Sequence, residues 1–295
     1  MSRPKNYKLL SHYTYSLPGL GGMFGLLFWF IVGCLLGALV MALLRFIMSP
    51  DAAINYGLII AYPIQFIPAM LYASSQSRNN SINYSGVKLD SNHFGKSGGI
   101  LLAVLVSLAT LAASFCTDAI VGILPQMPEA LQNALEAATQ GPLWANLLCV
   151  AVFAPFFEEW LCRGMVLRGL LNRGYKPVPA IVISALFFAL IHGNPWQAIP
   201  GFLIGLLLGY VYYKTGSIKL TMLMHCVNNA FAVIMSHTDK FKDIESWMDV
   251  LAPSTYWIVF AACILLVALV IKKFSEIPLE RPEGNMDKVA SLFEQ

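Results

Sequence analysis

Apolar residues run along this chain in long uncharged blocks, not in the one-face or alternating patterns of a soluble fold. A helix rising about 1.5 Å per residue needs about 20 apolar residues to cross a bilayer. Eight blocks reach or approach that length: residues 22–46, 52–74, 98–123, 142–170, 178–194, 196–213, 218–236 and 254–273. Only "HGNPW" separates the fifth from the sixth, which predicts a tight helical hairpin. β-Barrel spans would instead show short alternating segments. The first block begins near Gly21 and stays uncharged to Leu44. It is too long for a signal-peptide core and no small-residue cleavage site follows, so it reads as a retained span.

The loops between the blocks give an orientation. Fifteen of the nineteen Lys and Arg residues fall in the N-terminal tail, the second, fourth and sixth loops and the C-terminal tail, with Arg168 taken as a fourth-loop charge. The opposite loops hold Arg45, Lys240 and Lys242. Cytoplasmic loops carry the basic excess, so both termini are expected in the cytoplasm. The third loop has no basic residue, and Leu131 and Leu135 lie four apart behind Pro128, which predicts a short helix on the outer surface. Asn79 and Asn83 begin glycosylation sequons, which matter only in an extracytoplasmic loop. The expected organisation is an all-α polytopic membrane bundle of about eight transmembrane helices. A single transmembrane domain covers 1–275, its motif-bearing core is 142–236, and a polar tail follows at 276–295.

Composition narrows the function classes. Charged residues are 12% and hydrophobic residues 57%, against about 25% charged in soluble domains. The net charge of +3 and the lack of a basic cluster interleaved with aromatics argue against nucleic acid as a partner. None of the six cysteines forms a CxxC pair and all lie in or beside apolar runs, so they read as small core residues.

Strongly polar residues inside membrane spans are expensive and mark functional sites. Here they form three groups: Glu158, Glu159 and Arg163 in the fourth block, His192 at the end of the fifth, and His225 with Asn228 and Asn229 in the seventh. Glu159 and Arg163 are four apart and can pair on one helix face. Glu158 is turned about 100° away and needs another partner. Pro155 frees a backbone carbonyl and bends the helix. Counted at about 1.5 Å per residue, Glu158 lies about 15 Å, His225 about 10 Å and His192 about 20 Å from the cytoplasmic ends of their spans. These depths allow one polar pocket opening toward the cytoplasm.

Apart from Glu158, which has no basic residue three or four positions on, each has a structural explanation alone: an internal ion pair for Glu159 and Arg163, a hydrogen-bonded core ring for each histidine, an interhelical hydrogen bond for Asn229. Together they suit hydrolysis. A glutamate with a histidine can hold and deprotonate water, and a second histidine with an amide can donate to an oxyanion. A metal site built from Glu158, His192 and His225 is the alternative, as in two-His-one-Glu zinc hydrolases, although HExxH is absent.

The three groups also fit named patterns. "EEWLCR" fits EExxxR, Phe188 to His192 fits FxxxH, and His225 to Asn229 fits HxxxN, in that order on successive segments. This set resembles the CPBP family of intramembrane endopeptidases, which includes type II CAAX prenyl proteases and bacterial bacteriocin-processing or self-immunity proteins. The resemblance covers roughly residues 142 to 236. It implies that Glu158 and His192 activate water, Glu159 and Arg163 support the site, and His225 and Asn229 stabilise the oxyanion. The implied cavity is open to the cytosol. The family has been described both as metal-dependent and as glutamate-type. The metal-free form is favoured here, and one divalent metal such as zinc is the alternative. The implied partners are the lipid bilayer and a peptide or membrane-associated protein substrate, lipidated in some family members. No eukaryotic organelle signal is visible, which points to a bacterial cytoplasmic membrane. The competing class is a transporter, or a scaffold or immunity protein, using the same buried polar residues; the lack of an inverted repeat counts against transport.

Overall fold

A computed structural model describes residues 10–279 apart from Tyr84, Gln140, Lys242, Asp243 and Glu245. Most of the expected polar tail, 280–295, and the basic residues Arg3, Lys5, Lys8, Arg281 and Lys288 lie outside the described residues. The described chain is all α. Its helices are α1 (Leu20–Ile47), α2 (Pro50–Asn80), α3 (Gly99–Val121), α4 (Glu129–Thr139), α5 (Leu143–Asn172), α6 (Pro177–Leu190), α7 (Pro195–Thr215), α8 (Ile218–Ser236) and α9 (Pro253–Ser275). Seven of these are long and apolar enough to cross a membrane, and α6 is a shorter apolar helix. With α6 this is the expected bundle of about eight spans, an integral membrane topology. The short helix expected in the third loop is α4.

Helix boundaries follow local chemistry. Ser49 accepts a hydrogen bond from the Ala52 amide, and Pro50 occupies the first turn of α2. Asn194 accepts from the Gln197 amide at 3.0 Å, with Pro195 behind it, and so starts α7. That helix stops at Gly216, whose φ of +60° is the left-handed conformation glycine adopts without penalty. Ser217 then caps α8 through the Leu220 amide.

The fifth span is shorter than its apolar block. α6 covers 14 residues, about 21 Å of helix, against about 30 Å of hydrocarbon. The chain turns at 191–194, with Gly193 at φ +69°, and this turn carries His192 inside the bundle instead of to its rim.

α5 is the centre of the molecule. Trp160, Leu161, Cys162, Met165, Val166, Leu167 and Leu170 are fully buried on it. α1 and α9 lie at the periphery and expose Phe24, Phe28, Leu35, Leu265 and Leu269, as lipid-facing helices do. α1 packs along α2, and Gly33 permits the contact: a Cβ there would strike the Gln65 carbonyl. α6 packs along α7 through a line of small residues. Gly205 faces Ala185 and Arg163, and a Cβ on Gly209 would stand 3.0 Å from Ile181.

The two faces of the bundle are held differently. On the face that carries the described ends of the chain, Arg168 acts as a clamp. Its five N–H donors reach five carbonyls: Gly164 (2.6 Å), Thr14 (3.3 Å), Val87 (2.7 Å), Tyr13 (3.2 Å) and Ser16 (2.7 Å). Arg168 is only 3% exposed. It is therefore an internal strut and not the loop charge its position in the sequence suggests. Arg173 adds a bond to Leu17 O, and Lys214 joins Ser275 O on the same face. On the opposite face, Asp118 receives Ser246 Oγ and Tyr256 Oη, Trp196 donates to Pro125 O, and Asn146 donates to Gly141 O.

Candidate active site

The site is built on an irregular helix. Within α5, residues Leu147–Phe153 and Trp160–Leu167 are π-helical and flank an α-helical segment, Ala154–Glu159. Such π stretches are rare and recur at functional sites. In the first, the Ala154 N–H bonds to Cys149 O, five residues back. The next donor in that register would be residue 155, reaching Val150 O. Residue 155 is proline, which has no N–H. Val150 O is instead filled by Asn229 Nδ2 at 2.8 Å. The carbonyl that Pro155 frees is thus what anchors the asparagine.

Asn229 is fixed at its other atom as well. Asn228 Nδ2 donates to Asn229 Oδ1 at 3.1 Å. A carbonyl only accepts, so the Asn229 amide nitrogen must face Val150 O. One Nδ2 hydrogen is used there and the second remains. Both asparagines line the cavity described below.

The two glutamates share one histidine. His225 Nδ1 lies 3.1 Å from Glu159 Oε1, and Nε2 lies 3.9 Å from Glu158 Oε2. The ring sits between the two glutamates, which are turned about 100° apart: Glu159 meets it directly, whereas Glu158 has a separate hydrogen-bond partner in Tyr62. Glu159 also accepts from Arg163 Nη1 at 2.6 Å, with both side chains fully buried. Arg163 Nη2 donates to Gly205 O at 3.0 Å, and its guanidinium stands 4.6 Å over the Phe188 ring.

Glu158 differs from its neighbour. Its side chain is 12% exposed. Oε1 accepts the hydroxyl of Tyr62, from α2. Oε2 is buried without a hydrogen-bond partner. The gap from Oε2 to His225 Nε2 is too long for a direct bond but within reach of one shared water.

His192 approaches from the turn after α6. Its Nδ1 lies 2.7 Å from Phe188 O. The carbonyl cannot donate, so Nδ1 carries the proton and Nε2 is the basic nitrogen of the neutral ring. Phe188 separates the histidines, with ring centroids 4.9 Å from His192 and 5.3 Å from His225. Phe188 thus touches His192, His225 and Arg163.

Glu158, His192, His225 and Asn229 all line one cavity of about 530 Å³, together with Tyr62 and Asn228. Arg163 and Glu159 lie behind its wall. Among the described residues, no group of three or more His, Cys, Asp and Glu could hold a metal ion. The set Glu158, His192 and His225 therefore does not fit as a metal centre, and no step below passes through a metal.

Glu158 lies fourteen residues before the end of α5 at Asn172, about 21 Å from the face with the chain ends. The polar site occupies the middle of the bundle. Tyr62 and Phe188 were not among the residues singled out by polarity. Phe188 at least marks the start of the FxxxH pattern. Asn228 is flagged only as a second amide in "NN", and Tyr62 has no sequence signal beyond being an aromatic next to Pro63.

With this geometry in view, residues 140–231 match the family model described as "Type II CAAX prenyl endopeptidase Rce1-like". This segment is similar to Rce1-like CAAX proteases. It spans just under a third of the chain and contains Glu158, Glu159, Arg163, His192, His225 and Asn229. Tyr62 and the Arg168-clamped segments around Tyr13 and Val87 lie outside it. No curated protein and no solved structure gave a match. The family match and the buried His–Glu cluster support an enzymatic, protease-like function.

Proposed function

We propose that the protein is an intramembrane endopeptidase that hydrolyses a peptide bond with water held by Glu158. One observation carries the reading. Glu158 Oε2 is a buried carboxylate oxygen without a partner, turned to a cavity where His225 Nε2 stands 3.9 Å away. A carboxylate in that position costs stability unless it meets a ligand. Water between these groups supplies one.

The roles follow from the hydrogen bonds. Tyr62 holds one oxygen of Glu158, so the other takes the proton of the attacking water. His192 Nε2 accepts the second water hydrogen and orients the attack. The carbonyl oxygen becomes an oxyanion as the C–O bond forms. The free hydrogen on Asn229 Nδ2 and a protonated His225 Nε2 donate to it. Glu159 holds the other nitrogen of His225 and so fixes the ring, and Arg163 pairs with Glu159 behind it. The proton on Glu158 then passes to the leaving amine as the C–N bond breaks.

The substrate is a peptide or a membrane-associated protein segment, and the setting a bacterial cytoplasmic membrane with the chain ends inside. The test uses purified full-length protein and a mixed peptide library, with and without a prenylated cysteine and with and without a chelator. Cleavage that survives the chelator and is abolished by Glu158→Gln in a folded, monodisperse protein is expected. Wild-type-level cleavage by Glu158→Gln overturns the proposal.

A further inference from the structure

The cavity has a floor and a mouth, and they lie on opposite faces. Six spans, α6 and the α6–α7 turn contribute lining residues. On α7 these run from Trp196 and Gln197, in the first turn, down to Leu208. On α8 they run from His225 to Ala232, toward the end at Ser236. On α3 they are Ser114 and Thr117, in the last third of the helix. Gln197 and Ala232, at the far end, are exposed. Leu208 and His225, at the near end, are buried.

Below the near end the bundle is solid. Arg163, Trp160, Leu161 and Met165 are 0% exposed. Beneath them Arg168 ties α5 to the segments at 13–16 and at Val87, spending every donor on a carbonyl. A peptide entering from that face would have to break this clamp and part a close-packed layer.

We propose that substrate reaches Glu158 from the membrane face opposite the one that carries the chain ends. Arg78, Lys88, Lys96, Arg173, Lys176, Lys214, Lys219, Lys272 and Lys273 lie at the end-bearing face, against Arg45 and Lys240 at the other. By the basic-residue rule the end-bearing face is cytoplasmic. The substrate class is then a peptide segment presented on the non-cytoplasmic side, such as an exported chain or the outer end of a membrane span. This rests on the reading of the cavity as the catalytic site, and its test reads access, not cleavage.

Single cysteines are placed at Gln197, at the mouth, at Gln65, which lines the cavity from α2, and at Lys88, exposed on the end-bearing face. Cys34, also on the lining, is replaced by alanine. A charged, membrane-impermeant maleimide is added to sealed vesicles from either side. Positions 197 and 65 are expected to label from the side opposite to position 88 and from that side only. Labelling of position 65 from the same side as 88, from both sides, or from neither overturns the proposal. The Glu158→Gln protein is expected to label in the same pattern, so loss of cleavage and failure of access are read separately.

Discussion

Tyr62 gives its hydroxyl hydrogen to Oε1 of Glu158. The donor comes from α2, outside the family-matched segment, and the acceptor from the centre of that segment. The bond selects which oxygen of the carboxylate is tied and which faces the cavity. Tyr62→Phe keeps the ring and its packing 5.6 Å from Phe66 and removes only the donor. A hydrogen bond to a charged group contributes about 1.5–3 kcal/mol, so kcat is expected to fall about 10- to 100-fold. KM and the melting temperature should stay near the parent values. Steady-state kinetics and a thermal melt on the same preparation check this; unchanged kcat removes Tyr62 from the site.

Arg163 and Glu159 form a fully buried pair. Removing one partner of such a pair costs about 3–5 kcal/mol, because the other charge is left uncompensated. Arg163→Met is therefore expected to lower stability by that amount, and the double variant Glu159→Gln with Arg163→Met to recover part of the loss. The recovery should not extend to activity, since Glu159 also holds His225. Denaturation in detergent and peptide cleavage, measured on the single and double variants, separate the two roles.

How much of this was legible in the sequence depends on what each feature costs. The spans are visible because bilayer thickness imposes a length and excludes charge. Glu158, Glu159, Arg163 and His225 stand out because buried charge in an apolar run needs a reason. Tyr62 does not stand out, since an aromatic in a span costs nothing before its hydroxyl finds Glu158. Arg168 was misleading for a related reason. An arginine near the end of a span looks like a loop cation, and only the fold shows its donors spent on five carbonyls. The π register around Pro155 is invisible because it changes which carbonyl is bonded, not which residue type is present.

Pro155, Val150 and Asn229 make one unit. Pro155→Ala restores an N–H that can compete for Val150 O. Asn229 then loses its anchor without being mutated. Cleavage is expected to drop by roughly 10-fold, as when a neutral hydrogen bond of about 1–1.5 kcal/mol is lost from a site. Stability should hold or rise, because a backbone hydrogen bond is gained. Asn228→Ala should act on the same asparagine from its other side and lower kcat with little effect on KM. If Pro155→Ala leaves kcat unchanged, Asn229 does not depend on Val150 O.

Arg168→Lys tests the seal on the face with the chain ends. Lysine carries three donors where arginine carries five, so at least two of the five bonds to carbonyls are lost. A hydrogen bond from a charged group contributes about 1.5–3 kcal/mol, giving an expected loss of about 3–6 kcal/mol. The loss should be local before it is global, because the carbonyls at Tyr13, Thr14, Ser16 and Val87 belong to segments outside the central helices. Limited proteolysis on the end-bearing side should therefore cut near residues 13–17 and 85–90 at a temperature where the parent resists. α5 and the site should remain intact at that temperature, with cleavage activity kept. Equal protease resistance in the two proteins would mean that other contacts hold these segments down.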